Sequence, residues 1–172
     1  MREFEYGAWR EIFDATTRIL STYRGPEDWE RVKRLIAEEV AKLLLRRFHT
    51  IRRIALADLS GGECASDSRP SLDIDLLVVV DSPAEAYALK SLEQVLDNAI
   101  REAFIHTLPF EEYKKLATFY KRGLHHNLLE VHVNDLYARS KSRDCPPIEL
   151  YAVEPSSRAP QASSSSLRAA IS

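Results

Sequence analysis

Over the first fifty positions, apolar residues recur at steps of three and four. Trp9, Ile12, Phe13, Thr16, Ile19, Leu20 and Tyr23 trace one stripe, which predicts an amphipathic helix. Gly25 and Pro26 end it. Pro26 suits the first turn of a second helix, and Glu27 and Asp28 favour its positive end. Trp29, Val32, Ile36, Val40, Leu43 and Leu44 give that helix its apolar face, and Arg46 and Arg47 suit its C-terminal end. The period then changes. Ile51 to Leu59 reads as a strand with Ile54 and Leu56 on one face. Residues 60 to 71 are small and polar, as in a loop. Leu72 to Val80 is the most apolar strand of the chain. Ser82-Pro83-Ala84-Glu85 has the form of a capping box. It opens a long helix with Leu89, Leu92, Val95, Leu96, Ala99, Ile100, Ala103 and Phe104 inward. A shorter helix over Phe110 to Arg122 stops at Gly123, a suitable C-cap. Leu128 to Val133 is a short strand, and Ile148 to Val153 adds a short apolar anchor.

The order α-α-β-β-α-α-β predicts an α+β fold: a small mixed β-sheet packed against helices that cover one of its faces. Residues 1–49 read as an N-terminal helical extension and residues 50–153 as the core. Residues 154–172, EPSSRAPQASSSSLRAAIS, read as a disordered tail because they carry few bulky apolar groups.

Composition narrows the classes. The 172 residues suffice for one domain with a real core. A net charge of −2 supplies no global field to recruit nucleic acid or an anionic membrane. Cys64 and Cys145 show neither metal-ligand spacing nor a disulfide framework, so a reducing, cytoplasmic location is expected. The charged start MREFEYGAWREIF is not a signal peptide, and no apolar run approaches the ~20 residues that span a bilayer. Scarce Asn, Gln and Met beside abundant Arg and Glu lean towards a thermophile's composition.

The chemistry concentrates in LSGGECASDSRPSLDIDLLVVVD, residues 59 to 81. Two acids interrupt its apolar strand. Side chains alternate along a strand, so Asp73 and Asp75 share a face, ~7 Å apart at Cα. Burying two unpaired carboxylates side by side is costly. The cost falls if they face a cleft and share a cation, and magnesium takes carboxylate and phosphate oxygens. In LLEVHV, Glu130 and His132 fall on the face opposite Leu129, Val131 and Val133. If the two strands are neighbours, Glu130 completes a three-carboxylate cluster able to hold two ions for in-line phosphoryl chemistry. Gly61 and Gly62 let the backbone approach a ligand, and loop N–H groups there can cradle phosphate.

Other candidates carry less. His125 and His126 match no zinc spacing and read as ordinary surface histidines, whereas His132 shares Glu130's face. Arg46, Arg47, Arg52 and Arg53 read as a solvated helix end and strand start more readily than as a phosphate-steering patch. Trp9 and Trp29 follow the apolar stripes and read as core. Cys64, with no histidine near it in sequence, is not a nucleophile candidate.

Gly61-Gly62, ten further residues and then Asp73-Ile74-Asp75 resemble the signature of the DNA polymerase beta nucleotidyltransferase superfamily. There a Gly-Ser pair precedes Asp-x-Asp on a strand. The resemblance spans roughly residues 50 to 135 and is nearest to the small minimal nucleotidyltransferases of archaea and bacteria. It implies that Asp73 and Asp75 bind two Mg2+ ions and the triphosphate of an NTP such as ATP. It implies that Glu130 is the third acid, which helps activate the attacking hydroxyl, and that Gly61 and Gly62 hold the triphosphate, with Arg69 nearby. Some small relatives are antitoxins that transfer AMP to a tyrosine of an all-helical HEPN toxin, so a helical protein partner is implied as well. The chain departs from the pattern at four positions. Gly62 replaces the serine, Glu63 and Ala65 stand where small relatives often carry arginines, and Ser66 replaces a usual glycine. Two functions follow as expectations: transfer of a nucleoside monophosphate, or a fold without turnover that docks a helical partner. A third reading is an unrelated α+β domain with solvent-facing acids.

Overall fold

A computed structural model describes residues 2–57, 72–119, 127–135 and 146–153. Helix α1 spans Glu3–Leu20 and α2 spans Trp29–Arg47, joined through a 3-10 turn at Pro26–Asp28. Gly25 precedes that turn at φ 127°, a conformation that favours glycine. Strand β1 is Ile51–Ala57 and β2 is Ile74–Val80. Helix α3, Pro83–Thr107, and α4, Phe110–Phe119, lead to β3, Leu129–Val133, and β4, Ile148–Ala152. The fold is α+β, as the periodicity predicts.

The four strands form one mixed sheet in the order β3-β2-β1-β4. β1 runs antiparallel to both β2 and β4, and β2 runs parallel to β3. The expected apolar anchor near Ile148 is thus a fourth strand, an edge beside β1. It is short and half-exposed, so its pattern is faint in the sequence.

One face of the sheet meets the helices. Ile51, Ile54, Leu56, Ile74, Leu76, Val78, Val80, Leu129 and Val131 lie in a single core with buried residues of α1, α2 and α3. The N-terminal helices share this core. Trp29 is fully buried, packs on the Phe104 ring and donates from Nε1 to the Leu72 carbonyl. Trp9 is half-buried and stacks on Phe13, with its Nε1 donating to Asn98 at 2.8 Å. The four arginines of the basic run have intramolecular partners. Arg46 pairs with Glu11 and Arg52 with Asp81, Arg53 makes a fork with Glu149, and Arg47 lies over the Phe4 ring. They read as surface structure.

The Ser82 motif is half a capping box. Ser82 Oγ accepts from the Glu85 N–H, closing the helix start. The Glu85 carboxylate turns away to accept from the backbone N–H groups of His49 and Thr50 and from the Thr50 hydroxyl. It therefore ties α3 to the entry of β1.

β3 is held from outside by α3. Asp97, 1% exposed, accepts from the Leu128 and Leu129 N–H groups at 2.8 and 2.9 Å. Glu93 accepts from the Val131 N–H, and Lys90 Nζ donates to the Val131 carbonyl at 2.8 Å. Positions 90, 93 and 97 lie on one helix face. Their side chains satisfy the outward backbone groups that a further strand would otherwise pair. At the far end Asn134 sits at φ 52°, and its amide bonds both the N–H and the carbonyl of Val80. Among the described residues no helix is long and apolar enough to cross a membrane.

Replacing Asp97 with alanine strands two buried N–H donors, each worth about 1–3 kcal/mol unsatisfied. Asp97→Ala is expected to cost about 2–4 kcal/mol in urea unfolding, far more than Glu102→Ala on the same helix. Equal costs would contradict the clamp.

Candidate functional site

The second face of the sheet is different in character. Ala55, Ala57 and Leu77 form a small buried cluster there. Asp75 lies on this face, paired in register with Ala57 on β1 and with Glu130 on β3. His132 comes next along β3, opposite Leu77. In a parallel pair, registered residues share a face, so Asp75, Glu130 and His132 emerge side by side. A larger side chain at Ala57 would compete for the same space.

Ligand-capable atoms of these three residues all lie within 4.8 Å of one another. Asp75 is buried, 2% exposed, while the Glu130 side chain is about half exposed at 55%. His132 Nε2 is 3.2 Å from Asp75 Oδ1 and 4.0 Å from Glu130 Oε1. Its other ring nitrogen, Nδ1, is 3.6 Å from Asp135 Oδ2. The hydrogen bond to Asp75 holds the imidazolium above its ordinary pKa, and the charges of Glu130 and Asp135 add to this. The Glu130 carboxyl is also raised, first because partial burial takes some of its water away, then because Asp75 is a like charge beside it. Two carboxyls and an imidazole of this kind could hold a metal ion. Two oxygens and one nitrogen fit a single divalent cation.

Of the three predicted acids, Asp75 and Glu130 come together and Asp73 stands outside the group. Strand β2 begins at Ile74, so Asp73 lies in the bend before it, where strand alternation does not dictate its direction. It is 7% exposed, and its charge is among those that disfavour ionisation of the half-buried Tyr113 phenol on α4. Gly61, Gly62 and Arg69, with Cys64, His125 and His126, lie outside the described residues. So does the tail from residue 154. Asp135 was not singled out from sequence. Its signal is its place three residues after His132, just beyond the strand.

A cavity of about 460 Å³ adjoins the group, lined by Tyr87 and Lys90 of α3 and by His132, Asn134 and Asp135. No protein-family model, curated protein or solved structure matches the chain.

Both raised groups bind protons more tightly in the folded chain than in the unfolded one. Their contribution is full below the ordinary pKa of each and is lost as pH rises through the raised value. Groups held low act the other way, at acid pH: Asp28 by its bonds from Arg31, and Glu85 by the His49 and Thr50 N–H groups. Metal-free protein is therefore expected to lose stability as pH rises above the ordinary carboxyl and then the ordinary imidazole value. Glu130→Gln should flatten that slope in thermal unfolding with chelator present. An unchanged slope would contradict the coupling.

Proposed function

We propose that the chain is a metal-dependent nucleotidyltransferase of the DNA polymerase beta superfamily. It moves a nucleoside monophosphate, most simply AMP from ATP, to an acceptor hydroxyl in the cytoplasm. The observation that carries this reading is the parallel register of Asp75 with Glu130. It sets acids from two separated segments side by side on a face turned away from the helical core. The Gly-Gly and Asp-Ile-Asp spacing of the sequence supports it. The donors at Asp75 and Glu130 fit the magnesium that accompanies a nucleoside triphosphate. Bound there, a divalent ion supplies charge stabilisation at the phosphoryl oxygens.

The chain's own residues do the rest. Asp75 is the fixed, buried oxygen donor. Glu130 stands at the open rim, where its raised carboxyl can exchange a proton with an incoming hydroxyl. His132 holds Asp75 by a hydrogen bond and offsets the two acids electrostatically. Asp73, two residues before Asp75, completes the acid set of the resemblance. The acceptor is a hydroxyl of a helical, HEPN-type protein partner, by analogy with the antitoxin relatives. A docking module without turnover is the second reading. It is favoured by Glu63 and Ala65 in the loop, where phosphate-binding arginines are expected.

Transfer of label from α-labelled ATP into host lysate should occur with the wild-type chain. It should fall about a hundredfold or more in Asp75→Asn and Glu130→Gln, both folded by circular dichroism. Transfer at wild-type level in both variants would overturn the assignment. No transfer by any form, with a helical protein still captured, would favour the module.

A further inference from the structure

We propose that Asp75, Glu130 and His132 hold one resident divalent ion of the class that accepts nitrogen ligands, Mn2+ or Zn2+, with Asp135 orienting the histidine from behind. The proposal deepens the nucleotidyltransferase reading, in which this ion takes the place of one of two magnesium ions.

The donor set sets the ion's class. Magnesium favours oxygen ligands throughout and gives up its water reluctantly. An imidazole nitrogen in the inner shell suits manganese, zinc and their neighbours. The ring is aimed correctly for such a role. Nε2 faces both acids, and Nδ1 faces Asp135 Oδ2 at 3.6 Å. A carboxylate on the far nitrogen is the usual support of a metal-binding histidine, and Asp135 stands there at ion-pair rather than hydrogen-bond distance, a short side-chain adjustment from that bond.

The spacing also fits. Two donors each about 2.1 Å from one ion stand roughly 3.0 Å apart at a right angle and roughly 3.4 Å apart at the tetrahedral angle. The Asp75–His132 separation of 3.2 Å lies in that range. The Glu130–His132 separation of 4.0 Å is that of a more nearly opposite pair, and Glu130 is exposed enough to adjust. Parallel pairing of β2 with β3 fixes all three backbones, so the arrangement does not rest on a loop. A cavity on the histidine side of the group is lined by His132 and Asp135.

The test is metal binding itself, read without any nucleotide. Purified full-length chain, stripped with chelator, is titrated with Zn2+ against a chromophoric competitor and with Mn2+ by electron paramagnetic resonance. One tight equivalent is expected. His132→Gln should weaken Zn2+ and Mn2+ at least tenfold, and Asp135→Asn about tenfold. Mg2+ should bind far more weakly and be indifferent to His132→Gln. Pulsed resonance on the Mn2+ form of the wild type should show coupling to an imidazole nitrogen, which needs no variant to fold. Zn2+ and Mn2+ affinities unchanged in His132→Gln, or no nitrogen coupling, would overturn the proposal. Histidine-dependent binding without any nucleotidyl transfer would leave this site standing and refute the enzyme reading. Transfer in magnesium alone, with Zn2+ and Mn2+ affinities unchanged in His132→Gln, would do the reverse.

Discussion

The parallel pairing of β2 with β3 is the constraint on which the rest depends. A parallel pair cannot be closed by a tight turn. Here β3 also has its outer edge satisfied, along Leu128 to Val131, by side chains of α3 rather than by a strand. Asp97, Glu93 and Lys90 present two acceptors and a donor to it at helical spacing. Asn134 closes its far end against Val80. Slippage by one residue would turn Glu130 and His132 into the helical core and Leu129 and Val131 out of it. The burial of Leu129 and Val131 and the Asp97 clamp thus set the register that places Glu130 beside Asp75.

This construction separates two tasks between the faces of one sheet. The helix-facing side is continuous hydrocarbon from Trp29 and Phe104 through Leu76 and Val131. The other side carries the small buried cluster of Ala55, Ala57 and Leu77 beside the polar group. Ala57 next to Asp75 gives the carboxylate space without giving it a counter-charge. Among the described residues, His132 brings positive charge to it, one side chain further along the same face. A buried acid, a second acid at the rim and an imidazole between two carboxylates form a set in which Asp75 raises the proton affinity of both Glu130 and His132.

Much of this was legible in the residues. The helical stripes of α1, α2 and α3 are strong because their apolar residues fill core positions. Alternation within LLEVHV correctly set Glu130 and His132 together, and Asp75 fell on the same face. Asp73 falls outside the group of Asp75, Glu130 and His132, and with the extended backbone beginning one residue later, at Ile74, alternation does not by itself set its direction. Composition cannot mark that boundary inside a run of apolar and acidic residues. The edge strand at Ile148 was faint for the reason edges usually are, with half its side chains in water. Asp97 was hidden within an apolar helix face, although Lys90, Glu93, Asp97 and Arg101 form a charged stripe beside the apolar one. Glu85 was recognised as a cap but not as the link to Thr50, since a partner 35 residues away leaves no local trace.

The central claim is that Asp75, Glu130 and His132 behave as one electrostatic unit. Nuclear magnetic resonance titration of the His132 ring and the Glu130 side-chain carboxyl, in chelator, measures this directly for the wild type and for Asp75→Asn. Loss of the Asp75 charge is predicted to lower the pKa of both groups, His132 the more, because its hydrogen bond to Asp75 is the main cause of its shift. Glu130 should fall only in part, since the partial burial of its carboxyl remains. Two titrations that stay where they are in Asp75→Asn would contradict it.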